Sequence, residues 1–225
     1  MDEFSSSATV RRAVWATLVG GLTAFLAVAI LVANGWTGQI DRQIVLFLRS
    51  PVETSDALGA VWFREVAAEL TALGGYSILV LACILIAIAL LIARKRSAAV
   101  FLIATLSSGS ALSTFLKLFF NRPRPDLVDH LDQTFTSSFP SAHAMVSMIA
   151  WLTFAVIAIR FITVRNLRIY VLWAAVIIAL IIGATRVYLG VHWPSDVVAG
   201  WAIGLSWVSF CWLVADRFFP RGLRG

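Results

Sequence analysis

Residues 185–196 read Thr185-Arg186-Val187-Tyr188-Leu189-Gly190-Val191-His192-Trp193-Pro194-Ser195-Asp196. The stretch holds an arginine, a histidine and a carboxylate, and a long apolar run stands on each side of it. A charged side chain costs about 2.5–3.5 kcal/mol at the centre of a membrane-spanning helix, so charges beside such runs need a reason. The stretch therefore predicts a functional site at the edge of a membrane, between two spans.

The composition is that of an integral membrane protein. The 225 residues are 60% hydrophobic and 13% charged, whereas about a quarter of a soluble domain is charged. Because basic residues in membrane proteins mainly set topology, the net charge of +6 does not predict a nucleic-acid partner. Cys83 and Cys211 lie inside apolar runs and have no Cys or His at metal-ligand spacing. We expect no disulfide, metal or other cofactor.

The apolar runs predict an all-α membrane protein of six transmembrane helices, since about 20 apolar residues span a bilayer. Between spans one and two, residues 39–75 predict two short amphipathic helices on the membrane surface, split at Ser50-Pro51. We expect one domain over residues 1–225, with its motif-bearing core at 98–213, and a first span that is retained rather than cleaved. The spans are predicted at about residues 13–33, 76–93, 98–120, 143–159, 169–184 and 197–213.

The basic residues indicate how the chain is inserted. Eleven of the 18 fall on the side of the two termini, and the opposite side holds seven basic residues together with nine of the twelve acids. The positive-inside rule then predicts cytoplasmic termini. The loops at 34–75, 121–142 and 185–196 would face outward, which in a bacterial inner membrane is the periplasm.

Counting spans brings distant residues to the same membrane face. Lys117 ends span three, His143 begins span four, Arg186 ends span five and Asp196 begins span six. These four residues share a face whichever way the protein is inserted. Charges gathered at one depth predict a polar cavity or a shared anionic partner.

The side chains at this face suit a tetrahedral oxyanion. Lysine and arginine bind phosphate oxygens, and the start of a helix after Pro140 offers free N–H groups. A neutral His192 could attack phosphorus if Asp196, four residues later, holds its other ring nitrogen. His143 could then protonate the leaving alkoxide. The four candidate cations are Lys117, Arg122, Arg124 and Arg186.

These stretches resemble the three motifs of the type 2 phosphatidic acid phosphatases (PAP2), which are K-x6-R-P, P-S-G-H and S-R-x5-H-x3-D. Here residues 117–125 read K-L-F-F-N-R-P-R-P, residues 140–143 read P-S-A-H, and residues 185–196 read T-R-V-Y-L-G-V-H-W-P-S-D. The match covers spans three to six, about half of the chain. The joint spacing makes the resemblance specific, although any one motif alone would be weak.

The resemblance implies a metal-independent phosphatase that forms a phosphohistidine. Its nucleophile would be His192, held by Asp196, and its general acid would be His143. The implied phosphate ligands are Lys117, Arg124, Arg186, Ser141 and the backbone at Ala142. Two positions depart from the family pattern: Ala142 replaces glycine and adds a methyl group beside the phosphate site, and Thr185 replaces serine but keeps the hydroxyl.

Some alternatives stay open at this point. The same cationic pocket could serve a lipid- or anion-binding transport protein without turnover, although spans four to six show no ionisable residue in their middles. Arg122 could contact phosphate or be a solvated, headgroup-binding charge. By resemblance to bacterial family members, the substrate would be undecaprenyl diphosphate or phosphatidylglycerol phosphate, with phosphatidic acid and lipid A phosphates as further candidates.

Overall fold

The computed structural model describes residues 2–50, 56–128, 132 and 136–218, and within them the chain forms eight α-helices and no β-strand. The predicted all-helical fold is confirmed for these residues. In chain order the helices are α1 (Asp2–Ala33), α2 (Gly38–Phe47), α3 (Val61–Ala72), α4 (Tyr76–Ile92), α5 (Arg96–Phe120), α6 (Ala142–Ala158), α7 (Arg165–Tyr188) and α8 (Pro194–Phe218).

Helix α6 is the centre of the bundle. It contacts α5, α7 and α8, and 11 of its 17 residues are buried. A helix that is apolar on all sides requires apolar neighbours on all sides, and here the neighbouring helices supply them. The first residues of α6 are therefore held in a fixed position relative to the ends of α5, α7 and α8.

Two glycines on α8 allow α6 to pack very closely. A Cβ atom on Gly200 would lie 2.7 Å from the carbonyl oxygen of Ser141, and one on Gly204 would lie 2.8 Å from that of Met145. Both distances are too short for any side chain. The spacing is the small-xxx-small pattern that brings membrane helices into backbone contact. It joins the start of α6 to the first turns of α8.

The outer helices cover this core and expose apolar surface. Helix α1 packs on α8, α4 packs on α5, and α3 packs on α7. Both α1 and α4 expose large aliphatic side chains along their length, as helices that face lipid do. Their exposed residues include Val19, Leu26, Ile30, Leu81, Leu85 and Ile92.

Four of the helices in the described residues are long and apolar enough to cross a membrane. They are Ala8–Ala33 within α1, and α5, α7 and α8. Helices α3 and α4 meet at 43° and together would make a fifth span, while α6 is apolar but only 17 residues long. The multi-pass membrane fold is thus confirmed. The count of six spans and the surface position of α2 and α3 stay predictions.

The helix boundaries correct one feature of the sequence interpretation. Residues 185–196 were predicted to connect spans of about 169–184 and 197–213, with Arg186 and Asp196 at the edges of those spans. Instead, α7 continues to Tyr188 and α8 begins at Pro194. The uninterrupted apolar run ends at Ala184. The helix continues beyond it because the polar residues Thr185 and Arg186 are buried among protein atoms. Two helices do occupy residues 39–75 as expected, and the proposed split at Pro51 lies outside the described residues.

Candidate active site

The turn between α7 and α8 presents His192. Gly190 adopts a left-handed conformation with φ of 76°, and the amides of Gly190 and Val191 donate to the carbonyls of Val187 and Arg186 at 3.0 and 3.2 Å. This is the pattern of a Schellman motif, which ends a helix with glycine. Pro194 then begins α8, as proline suits a first helical position. His192 is thereby fixed in a tight turn and is only 2% exposed.

Asp196 is completely buried and accepts several hydrogen bonds. One carboxylate oxygen, Oδ2, accepts from the Trp193 amide at 2.9 Å and from the Ser138 hydroxyl. The same oxygen lies 3.5 Å from Nδ1 of His192. The other oxygen, Oδ1, lies 2.6 Å from Nη1 of Arg122. The predicted approach of Asp196 to His192 is thus present, and each oxygen of the carboxylate has a separate set of partners.

The surroundings of His192 keep its ring neutral. Burial is the largest effect and lowers the pKa of His192 to about 3; Arg124 and Lys117 lower it further, and Asp196 opposes them. A carboxylate beside Nδ1 favours a proton on that nitrogen, which leaves a lone pair on Nε2. Nε2 lies 3.2 Å from Nη1 of Arg124. The free nitrogen therefore faces a cation.

Three cations converge on this turn from three elements. Lys117 lies in the last turn of α5, and its Nζ donates to the Ser137 carbonyl at 2.5 Å. Arg124 follows α5 and donates to the carbonyls of Val191 and Thr136 at 2.5 and 2.8 Å. Burial and Arg186 lower the pKa of Arg124 to about 10, so it still carries its charge at pH 7.

Arg186 is the most enclosed of the three cations. It is 1% exposed, and its Nη1 donates to the carboxylate of Asp132 at 2.7 Å and to the hydroxyl of Thr71 at 3.1 Å. Its Nε is buried without a hydrogen-bond partner among the described residues. Buried polar groups are normally paired, so this N–H is available to an additional ligand.

His143 shares two cations, Lys117 and Arg124, with His192. Arg186, Lys117 and Arg124 all lie close enough for their charges to act on His143. Its ring lies beside the backbone of Gly74, where an added Cβ would be 3.5 Å from Cδ2. The two histidines are thus brought to one cationic pocket, one from α6 and one from the turn before α8.

The start of α6 is built by Ser141 and Ala142. The buried Ser141 hydroxyl caps the helix by accepting from the Ala144 amide at 3.5 Å, and the Ser141 amide donates to the carbonyl of Asp196 at 3.0 Å. Ala142 is the first helical residue and is half-buried. Such a helix start carries partial positive charge, which favours an anion. The Thr185 hydroxyl, by contrast, donates to the Ile182 carbonyl of its own helix at 2.7 Å.

All the residues predicted from the motifs meet at this end of the bundle, but the sequence interpretation missed several of their partners. Arg122 forms ion pairs with Asp196 and Asp41, which is neither of the roles considered for it. Asp41 could have been noticed, because it lies four residues before Val45 on the buried face of the amphipathic helix α2. Nothing in the pattern singled out Ser138 or Asp132.

Comparison with known proteins gives the family. The model of the PAP2 superfamily matches residues 98–220, which is more than half of the chain. The chain belongs to the PAP2 superfamily. The motif resemblance seen in the sequence is therefore confirmed.

Curated PAP2 relatives are phosphatases of lipids. Phosphatidylglycerophosphatase B of Bacillus subtilis is 29% identical over 147 residues, which are 64% of this chain and 71% of the relative. An undecaprenyl-diphosphatase of Sulfolobus acidocaldarius is 36% identical over 73 residues, 32% of this chain and 31% of that protein. A lipid A 1-phosphatase of Rhizobium etli is 30% identical over 53% of this chain and 59% of its own length.

Two solved structures share the fold. The transmembrane PAP2-type phosphatidylglycerolphosphate phosphatase of Bacillus subtilis matches with a TM-score of 0.79 and 25% identity, over 90% of this chain and 98% of that one. LpxE of Aquifex aeolicus matches with a TM-score of 0.56 and 24% identity, over 80% of this chain and 94% of that one. The first match extends the likeness beyond the motif-bearing half of the chain.

Proposed function

We propose that this protein hydrolyses the phosphate or pyrophosphate of a membrane lipid through a phosphohistidine intermediate. The observation that carries the proposal is the neutral, buried His192, which has a carboxylate beside Nδ1 and the guanidinium of Arg124 beside Nε2. A binding site alone would need the cations but not this histidine–carboxylate pair. The relatives support a lipid phosphate as the substrate class.

The reaction would proceed in two displacements. In the first, the lone pair of His192 Nε2 attacks phosphorus, the bond to the lipid oxygen breaks, and His143 gives its proton to that oxygen. In the second, His143 takes a proton from water, the water oxygen attacks phosphorus, and the P–N bond breaks to release inorganic phosphate. Each displacement returns His143 to the form that the next one requires.

The cations would stabilise the transferring group. Charge spreads over the three equatorial oxygens of phosphorus during transfer, and preorganised donors lower the barrier. Lys117, Arg124 and Arg186 would supply that charge, with the Ser141 hydroxyl and the backbone at Ala142 as neutral donors. Because these groups are already fixed by the fold, little reorganisation is needed during the reaction.

We further propose that the site faces the periplasm in a six-span protein of the bacterial inner membrane, with both termini cytoplasmic. The proposal counts α4 and α6 as spans and relies on the excess of basic residues at the other face. A lipid could keep its tail in the bilayer while its phosphate reaches His192. Among substrates, we favour undecaprenyl diphosphate or phosphatidylglycerol phosphate.

The test is phosphate release by the detergent-solubilised protein from a panel of four lipids: undecaprenyl diphosphate, phosphatidylglycerol phosphate, phosphatidic acid and a lipid A phosphate. We expect turnover of at least one of these lipids, inhibition by vanadate and no loss of activity with a metal chelator. His192→Ala should abolish turnover, whereas Arg64→Gln should not, because Arg64 pairs with Asp56 and is not among the proposed phosphate ligands. Full activity of His192→Ala would refute the nucleophile, and binding without turnover would favour an anion-binding protein.

A further inference from the structure

Arg122 links the carboxylate of Asp196 to a second buried carboxylate. Its Nη1 lies 2.6 Å from Oδ1 of Asp196, and its Nη2 lies 2.9 Å from Oδ2 of Asp41. It also donates to the hydroxyls of Ser195 at 2.8 Å and Thr37 at 3.3 Å. Two nitrogens of one planar guanidinium thus serve two different carboxylates, which a lysine could not do with the same geometry.

Asp41 fixes the far end of this link. It is 2% exposed, and its two oxygens accept from the backbone amide and the hydroxyl of Ser195 at 2.9 and 2.6 Å. Ser195 is the second residue of α8, and Asp196 is the third. Asp41 on α2 therefore binds the same helix start that carries Asp196, where its negative charge is favoured.

The backbone of Arg122 adds a second connection. Asn121 ends α5 in a left-handed conformation with φ of 43°, which turns the chain back over the site. The Arg122 carbonyl then accepts from the Ser138 amide at 2.8 Å. Ser138 in turn donates its hydroxyl to Asp196. Arg122 thus acts on Oδ1 directly and on Oδ2 through Ser138.

We propose that Arg122 and Asp41 are positioning residues, which fix the carboxylate of Asp196 and, through it, the ring of His192. With Oδ1 bound by Arg122, only Oδ2 faces Nδ1 of His192. The carboxylate cannot rotate without losing an ion pair in a buried site. The proposal rests on the proposed function, since it assigns a task to both residues in that reaction and gives neither of them a contact with phosphate.

The first test separates positioning from substrate binding. Arg122→Gln and Asp41→Asn should each lower kcat by about tenfold to 100-fold, the range found for residues that orient a histidine in metal sites. The KM for lipid and the Ki for inorganic phosphate should stay within about twofold, because the phosphate ligands are untouched. A rise in either constant with an unchanged kcat would make Arg122 a phosphate ligand and overturn the proposal.

Matched variants control for the chemistry of the substitution. Arg64→Gln removes another Arg–Asp pair, the partly exposed one with Asp56, and should leave kcat unchanged. Arg122→Lys keeps the charge, but a lysine cannot reach both carboxylates. The kcat of this variant should therefore lie between those of Arg122→Gln and the unmodified protein. Full activity of Arg122→Lys would show that charge alone suffices and would refute the positioning geometry.

The second test asks whether Arg122 acts through Asp196. In an Asp196→Asn background, Arg122→Gln should lower kcat by no more than about a further twofold, because the effects of residues that act as a unit do not add. An equal loss in both backgrounds would indicate a general structural role and overturn the proposal. If Asp196→Asn is too slow to measure, or Arg122→Gln does not fold, the Asp41→Asn variant tests the proposal instead. A lowered kcat with an unchanged phosphate Ki would support positioning, and an unchanged kcat would overturn it. If the unmodified protein and Arg64→Gln are both inactive on every lipid, the proposed function itself has failed.

Discussion

The ring of His192 should stay uncharged across the physiological pH range. Burial lowers its pKa to about 3, below the ordinary value of 6.5, so the ring remains neutral at any pH well above 3. In the unfolded chain the same ring takes up a proton below about pH 6.5. The unfolded state then binds more protons, and this group lowers stability as the pH falls from 6.5 towards 3.

An NMR titration of the histidine rings measures this directly. We expect the His192 ring signal to stay constant between pH 5 and 8, with assignment from its loss in His192→Gln. A midpoint near 6.5 for that signal would contradict the neutral nucleophile.

Asp132 should compete with phosphate for Arg186. Its carboxylate forms an ion pair with Arg186 at 2.7 Å, although the Asp132 side chain is 39% exposed. Solvent screening limits such a pair to about 1 kcal/mol, which corresponds to roughly fivefold in affinity. Asp132→Asn should therefore lower the Ki for inorganic phosphate by about fivefold. Asp126→Asn, an exposed carboxylate nearby in the chain, is the control, and an equal change in both variants would exclude competition at Arg186.

The contact between α6 and α8 depends on the absence of a side chain at Gly200. A methyl group there would lie 2.7 Å from the Ser141 carbonyl and 3.0 Å from the Ala144 Cβ, so the two helices would have to separate. Overpacking of this kind costs about 1–3 kcal/mol. Gly200→Ala should lower the thermal unfolding temperature and reduce turnover, because the start of α6 moves away from Asp196.

Gly20 provides the matched control for this element. It lies in helix α1, and an added Cβ would meet nothing within 4 Å. Gly20→Ala should be neutral or slightly stabilising, since alanine is favoured over glycine in helices. If Gly200→Ala behaved in the same way, the close approach of α6 and α8 would not be needed for stability or activity.

The sequence predicted the elements better than the connections between them. Apolar runs identified α1, α4, α5, α6, α7 and α8, but α7 and α8 extend towards each other beyond those runs through buried polar residues such as Arg186. Spacing within one stretch predicted that His192 and Asp196 would meet. The pairing of Asp41 with Arg122 joins residues 81 positions apart, and no local periodicity encodes such a contact.

The protein should be inserted so that the start of α6 and the end of α7 both lie at the outer face of the membrane. After replacement of Cys83 and Cys211, a single cysteine at Asp126 should react with a membrane-impermeant maleimide on intact cells. A single cysteine at Arg165, at the start of α7, should react only after permeabilisation. The reverse pattern would place the active site in the cytoplasm. Labelling of both positions on intact cells would show that α6, the helix between them, does not cross the membrane.

Charge is distributed over the molecule in a way that composition alone could not reveal. The net charge of +6 was interpreted as a topology signal, yet two buried cations and one half-buried cation lie around one turn, and two buried carboxylates share Arg122. Span counting placed Lys117, His143, Arg186 and Asp196 at one face without any structure. Which of them pair with each other depends on side-chain geometry over a few ångströms, and a count of spans carries no such information.

The two ring nitrogens of His192 face different groups, and this has a stereochemical consequence. Nδ1 faces Asp196 and Ser138, and Nε2 faces Arg124. On the proposed mechanism the phosphoryl group would be carried on Nε2 alone, giving one regioisomer of phosphohistidine. One in-line inversion at phosphorus would accompany attack by Nε2, and a second would accompany displacement of Nε2 by water. The released phosphate would then show net retention of configuration. An isotopically chiral phosphorothioate ester would report it, because sulfur gives the released thiophosphate a fourth distinct ligand at phosphorus.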